Sequence, residues 1–269
     1  MTPTWKGVLR HLRTGSALLA ISATGLRAQV RAELIPEHTE LRPGDRTRVA
    51  IVLRHAPGWH TYWRRGGDAG APTRIEWTVP SALRVDTLQW PAPSRFVDQG
   101  VVSFGYDVDV PLVADLIIDA KAPSGATRLT ARVDWLACKT QCVPGGTVVQ
   151  GAVRTGAHRL VNPAFARAMG APGVLWPVRS SEAVAATLDG DSLRLSATPS
   201  ARTGCHFFPE TVGIPAEVSM LNTRRDGRPS AMALSRARRG ALPDTMRGVL
   251  RCTGPTASAS YHRVRIAGR

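Results

Sequence analysis

Lysine is almost absent from this chain. Of 35 basic side chains only Lys6, Lys121 and Lys139 are lysines, so nearly all of the formal +15 charge is arginine. The arginines are scattered and no basic stripe is interleaved with aromatics, which argues against nucleic acid as a partner. No basic amphipathic helix is legible, so attraction to an anionic membrane surface has no element to carry it. No apolar run approaches the ~20 residues that cross a bilayer, so no transmembrane span is expected in the mature chain. Hydrolase signatures are missing too: there is no G-x-S-x-G, no H-E-x-x-H and no compelling pair of carboxylates. Cysteine is scarce, at four residues. A zinc site would need two close pairs or one pair with nearby histidines. Cys205 and Cys252 are far apart, and the single Cys205-His206 neighbour does not make such a site. No metal and no cofactor are expected.

What is present reads as β structure. Glycine and proline are plentiful, at 25 and 20 residues, which suits many short strands joined by turns. Alternating runs recur at 30–35, 47–53, 59–63, 73–79, 84–90, 108–118, 128–136 and 147–153. The stretch 64–72 is expected to be a loop, because Gly66, Gly67, Gly70 and Pro72 interrupt it. Strands punctuated this often suggest a sandwich or barrel. The one good helical candidate lies around Asn162 to Met169 and ends at Gly170. Weaker strand signals follow at 192–197, 217–221, 232–234, 246–251 and 261–266. The chain therefore divides into a β-domain over 29–160, a linker with a short helix over 161–175, and a second, smaller β-rich domain over 176–269.

The first 28 residues read as an export signal. Lys6, Arg10 and Arg13 form a basic start, Ser16 to Ile21 opens a short apolar segment, and Leu26-Arg27-Ala28-Gln29 offers a cut after Ala28. An exported protein lives among oxidants, where cysteines pair. Four cysteines allow three connectivities. Local spacing favours Cys138–Cys142, which leaves Cys205 and Cys252 for each other, as a structural bridge, or free.

Cys138-Lys139-Thr140-Gln141-Cys142 sits in a turn between two strands, with Pro144, Gly145 and Gly146 expected to close it. A bridge over so few residues restrains the unfolded chain less than a long-loop bridge, so close-set cysteines lean towards redox work. A thiol exchanges as its thiolate, and positive charge stabilises that anion. Lys139, next to Cys138, is the candidate for this role. The spacing is C-x-x-x-C rather than the C-x-x-C of thioredoxins. The residues alone therefore leave two readings open: a redox centre, or an exported, non-enzymatic β-sandwich that binds or assembles and is braced by purely structural disulfides.

A set of motifs in fixed order adds to this. Gly58-Trp59-His60-Thr61-Tyr62-Trp63-Arg64, Gly67-Asp68-Ala69-Gly70, Ile75-Glu76-Trp77, Trp90-Pro91-Ala92-Pro93, Phe104-Gly105-Tyr106 and Trp135-Leu136-Ala137-Cys138-Lys139-Thr140-Gln141-Cys142-Val143-Pro144 resemble the N-terminal periplasmic domain of the disulfide reductase DsbD, and its ScsB-like branch more closely. The resemblance covers roughly residues 30–155. A fainter one continues through Cys205-His206-Phe207-Phe208-Pro209 and Gly248-Val249-Leu250. It implies an all-β, immunoglobulin-like sandwich in the periplasm, a thiol:disulfide oxidoreductase of the protein-disulfide reductase type. Cys138 and Cys142 are then the catalytic, redox-active pair. The family shields its pair with an aromatic cap, and by position Phe104 is the first candidate here and Tyr106 the second, with Tyr62 bordering the site. No multi-helix membrane domain and no thioredoxin-like domain occur within the 269 residues. The resemblance accordingly implies a separate membrane electron donor and periplasmic client proteins as partners.

Overall fold

The structure, a computed structural model, describes residues 29–180, 184–189, 192–197, 205–211, 232–234, 244–253 and 257–267. The expected export signal and the strand expected at 217–221 lie outside these residues. The strands of the first half are β1 Val30–Pro36, β2 His38–Leu41, β3 Arg46–His55, β4 His60–Gly67, β5 Arg74–Thr78, β6 Leu83–Gln89, β7 Ser94–Asp98, β8 Val101–Tyr106, β9 Val110–Ile118, β10 Gly125–Cys138, β11 Cys142–Thr155 and β12 Leu160–Val161. The helix α1 spans Pro163–Met169. Beyond it come β13 Val178–Arg179, β14 Val184–Asp189, β15 Ser192–Ala197, β16 Cys205–Pro209, β17 Met232–Leu234, β18 Thr245–Cys252 and β19 Ser258–Ala267.

Two sheets make the sandwich. One has the order β1-β3-β9-β6. The other runs β12-β2-β11-β10-β4-β8-β7, with β5 also paired to β10. Alternation explains the inner faces: Leu129, Ala131 and Val133 of β10 are buried, while Arg128 and Arg132, on the opposite face, are exposed. The centre of β3 breaks that alternation, since Val49, Ala50, Ile51, Val52 and Leu53 are all buried. The cause is α1, whose Phe165 and Ala168 cover Ala50 and Val52 from the outside. Its start follows from the side chain of Asn162, which accepts from the backbone N–H of Ala164, and from Pro163 at the first helical position. The architecture is the all-β, immunoglobulin-like one.

A third sheet, β16-β18-β19-β14-β15-β17, follows, with β13 on β19. Part of it shares the core of the first half. Phe208, Val249 and Ala259 belong to the same buried cluster as Trp63, Phe104 and Tyr106. Arg64 of β4 pairs with Glu210, and Arg65 donates to the carbonyl of Thr211.

Three elements differ from the sequence reading. The segment 64–72 is not all loop, because β4 continues to Gly67 and reaches Ser103 across a bulge. The stretch 94–106 forms a hairpin, β7–β8, closed by Gln99 and Gly100, both with positive φ (47° and 82°). Pro144, Gly145 and Gly146 do not close the cysteine turn but belong to β11, opposite Leu136, Trp135 and Asp134. Gly145 is needed there for room: a Cβ on it would lie 2.5 Å from the Trp135 indole nitrogen.

Candidate functional site

β10 and β11 are a 14-residue pair of arms whose last register partners are Cys138 and Cys142. Lys139, Thr140 and Gln141 alone make the turn, with the Lys139 N–H donating to the Gln141 carbonyl at 3.2 Å. The two sulfurs are bonded to each other across the hairpin's end, with 4.0 Å between the Cα atoms.

Register decides what surrounds them. Ala137 points into the core, so its neighbour Cys138 points out of the sandwich; yet Cys138 is only 3% exposed. Something other than the core covers it. Cys138 opposes His60 of β4, and alternation puts His60 and Tyr62 on that same outer side. The Tyr62 hydroxyl donates to Cys138 Sγ at 2.9 Å and lies 3.6 Å from Cys142 Sγ. The loop after β4 folds over the tyrosine ring: a Cβ on Gly70 would lie 2.1 Å from Tyr62 Cε1, so only glycine fits there. Tyr62 packs edge-on to His60 at 5.4 Å, and Phe96 of β7 stacks on His60 at 4.6 Å with 15° between the planes. An aromatic file, Phe96–His60–Tyr62, thus leads down to the buried sulfur. Cys142 is left exposed.

The electrostatics keep this file neutral. Burial, with a smaller contribution from Asp98, raises the Tyr62 pKa, so its hydroxyl holds its proton and donates. Burial lowers the His60 pKa, against opposing effects of Asp107 and Asp98. Behind them His55 Nε2 contacts Thr61 Oγ1 at 2.9 Å and pins the start of β4. Burial pushes the His55 pKa down to about 4, so this ring is neutral as well.

The residues expected from sequence fall into two groups. Cys138, Cys142 and Tyr62 come together. Phe104 and Tyr106 do not point at the sulfurs: Phe104 is 2% exposed and packs on Phe208 at 5.0 Å, and the buried Tyr106 hydroxyl donates to the Pro91 carbonyl at 2.7 Å. Parity is the reason. Gly105, between them, opposes Tyr62 on the outer side, so Phe104 and Tyr106 must face the core. Lys139 turns its ammonium to the Pro57 carbonyl at 3.4 Å, and its methylenes lie along Gly58. The donor in contact with Cys138 is Tyr62. His60 and Phe96 were missed; the alternation of Trp59-His60-Thr61-Tyr62 carries a signal for the former, since a residue two before Tyr62 shares its face. Cys205 and Cys252 are register partners in β16 and β18 and are bridged, with exposures of 4% and 2%. Among the described residues no group of three or more His, Cys, Asp or Glu side chains is placed to hold a metal ion.

Residues 31–153 match the model of the family described as thiol:disulfide interchange protein DsbD, N-terminal. The chain is similar in fold to the N-terminal periplasmic domain of ScsB from Proteus mirabilis, with a TM-score of 0.64, 17% identity, and coverage of 88% of this chain and 94% of that one. A cohesin–dockerin complex from Clostridium thermocellum matches far less well, with a TM-score of 0.30, 13% identity, and coverage of 46% of this chain and 99% of that one. No curated protein matches the chain in sequence. No helix among the described residues is long and apolar enough to cross a membrane. Residues 31–153, with the cysteine hairpin inside them, are thus similar to DsbD N-terminal domains.

Proposed function

We propose that this chain exchanges thiols for disulfides in the periplasm, passing electrons from a separate membrane donor to client disulfide proteins through Cys138 and Cys142. The observation that carries the reading is the asymmetry of the pair: Cys142 is exposed, while Cys138 is 3% exposed and holds a hydrogen bond from Tyr62. An incoming sulfur can reach only one end of the bridge.

In the reduced form the Cys142 thiolate attacks a client disulfide. One client sulfur leaves as a thiolate and takes up a proton, and the other stays bonded to Cys142. The Cys138 thiolate then attacks Cys142 Sγ, the second client sulfur leaves, and the Cys138–Cys142 bridge closes. Two electrons have moved to the client. Recharging runs in reverse: a donor thiolate attacks Cys142, and Cys138 leaves as a thiolate under the Tyr62 hydroxyl. Phe96, stacked on His60, is the shielding aromatic in this reading. The division into a sandwich over 29–160, a linker over 161–175 and a smaller β-unit over 176–269 belongs to the same proposal, as does export from the cytoplasm.

The reduction potential of the Cys138–Cys142 bridge tests the function. Structural bridges of exported proteins lie below about −300 mV, and exchange-active ones are more oxidising. Equilibration with glutathione buffers, read by alkylation and mass spectrometry, should place this bridge above that limit. A value well below it would sink the relay.

Tyr62→Phe tests the mechanism. The ring and its packing on Gly70 remain, and only the hydroxyl on Cys138 is lost. A hydrogen bond to a charged group contributes about 1.5 kcal/mol, so reduction of the bridge by dithiothreitol should slow about tenfold. Stopped-flow fluorescence gives the rate; an unchanged rate would mean that the leaving sulfur does not use Tyr62.

A further inference from the structure

The C-terminal sheet turns one face towards β7, and alternation decides what that face carries. His206 and Phe208 are two apart in β16, and His206 opposes Arg251 of β18 in register. Thr253, two beyond Arg251, continues the same side. The neighbouring register pair, Cys205 and Cys252, points the opposite way, and its bridge ties the two strands together behind this face. From the first half, Arg95 of β7 comes to meet it: Arg95 opposes Phe104, whose ring packs on Phe208 at 5.0 Å. Beside it, Ser94 accepts a hydrogen bond from Arg251 at 2.7 Å. An open cleft of about 320 Å³ lies between the two elements, with Ser94, Arg95, His206, Phe208, Arg251 and Thr253 along its walls.

Two arginines and a histidine line this cleft, and no carboxylate does. Arg251 spends its terminal nitrogens on neutral oxygens, the Ser94 hydroxyl and, at 3.4 Å, the Gly173 carbonyl. The Arg95 side chain has no partner among the described residues. Three nitrogens of the cleft, Arg95 Nε, Arg251 Nε and His206 Nδ1, are buried without a hydrogen bond. A buried donor without an acceptor is unfavourable, and more so when it is charged. The charges also act on one another. Burial lowers the His206 pKa, and Arg95 and Arg251 push it the same way. Burial lowers the Arg251 pKa as well, against Tyr106 and Asp107, which act on it through space. Positive charge and unused donors are thus gathered in one place with no anion of the protein in contact.

We propose that this cleft binds a small divalent oxyanion of the phosphate or sulfate type, held by Arg95, Arg251 and His206. Two guanidiniums without a carboxylate call for two negative charges. A tetrahedral oxyanion offers acceptors in several directions, which suits donors that arrive from three strands, and guanidinium forks match its oxygens. The volume sits at the bottom of the ~300–1,000 Å³ range of organic-ligand pockets. Phe208 is 1% exposed, so no aromatic face is open for a ring to stack on. Size and lining both favour the bare anion over a larger ester. Arg95 belongs to the first half of the chain and His206 and Arg251 to the C-terminal sheet, so the bound anion ties the two together. The site is independent of the exchange reading, because Cys138 and Cys142 take no part in it.

The test titrates the full chain, with both bridges closed, with sodium phosphate at constant ionic strength and neutral pH. Calorimetry follows binding, and the imidazole proton resonance of His206, assigned through His206→Gln, reports its place. Phosphate should bind saturably at one site, move that resonance and raise the midpoint of thermal unfolding, as a ligand of the native state must. Sulfate should do the same, and acetate, with a single charge, should bind about tenfold more weakly. Arg95→Gln should weaken phosphate about tenfold, the loss of one charge-assisted hydrogen bond. It is the clean variant, because the Arg95 side chain holds nothing else in place. Arg251→Gln should weaken binding at least as much, and Arg128→Gln, on the exposed face of β10, should change nothing. The absence of saturable binding at millimolar phosphate overturns the site. Equal binding by the unaltered chain and Arg95→Gln overturns it too, since that result means general attraction to a basic surface. Acetate binding as tightly as phosphate overturns the divalent assignment.

Discussion

Replacing Cys142 with serine is expected to reduce exchange to background, while Cys138→Ser leaves a chain that attacks once and then stalls as a mixed disulfide. The prediction comes from burial. An incoming disulfide needs an in-line approach to a sulfur, and the Cys138 sulfur is enclosed by Tyr62, His60 and the hairpin turn. Serine at 142 removes the reachable nucleophile, because a hydroxyl does not take part in sulfur exchange. Serine at 138 keeps that nucleophile and removes the group that resolves the intermediate. Incubating each reduced variant with an oxidised model protein, followed by non-reducing electrophoresis and mass spectrometry, separates the cases. The Cys138→Ser lane should hold a covalent adduct through Cys142, and the Cys142→Ser lane none. An adduct through Cys138 in the second variant would reverse the assignment of the two sulfurs, and no adduct in either would remove the exchange reading. The double variant should stay folded, since closing so short a loop contributes only about 2 kcal/mol by the chain-entropy relation.

Much of this site was legible in the sequence, and the parts that were not share a physical cause. Cys138 and Cys142 are neighbours along the chain, so their pairing needs no knowledge of the fold. The helix at Pro163–Met169 carries its own start and stop in Asn162 and Gly170, again local information. The aromatic surroundings of the sulfurs are different. Phe104 and Tyr106 looked like cap residues by their position, but a strand's side chains alternate, and a shift of one residue moves an aromatic from one face to the other. Only the pairing of Gly105 with Tyr62 fixes which face is which. Phe96 was hidden for a related reason: Asp98-Gln99-Gly100 reads as loop, and its use as a hairpin turn shows only once Val97 is seen opposite Val102. Pro144 to Gly146 misled in the opposite sense, because turn residues can also occur in a strand when the facing side chain is as large as Trp135. Phe208 and Arg251 were out of reach altogether, as each meets partners more than a hundred positions away.

Loss of the second bridge should cost more stability than loss of the first, which inverts their importance for chemistry. Cys205 and Cys252 are 47 positions apart, and tying a loop of that length lowers the entropy of the unfolded chain enough to contribute about 4 kcal/mol, roughly twice the figure for Cys138–Cys142. Both sulfurs are buried, at 4% and 2% exposure, and they join the two strands that present Phe208 and Arg251 to the hairpin. A reductant therefore meets one exposed bridge and one enclosed bridge in the same molecule. Dithiothreitol should open Cys138–Cys142 with little change in circular dichroism and leave Cys205–Cys252 closed until the C-terminal sheet unfolds. Denaturant curves of Cys205→Ser/Cys252→Ser should show the loss as a shift of midpoint. A change of less than about 1 kcal/mol would mean that the sheet is held by its packing alone, since a bridge of this span that contributes so little leaves the unfolded chain almost unrestrained. If the larger loss is found, the division of labour is physical: the long, buried bridge holds two strands of the C-terminal sheet together, and the short, exposed one is free to break and re-form without endangering the fold.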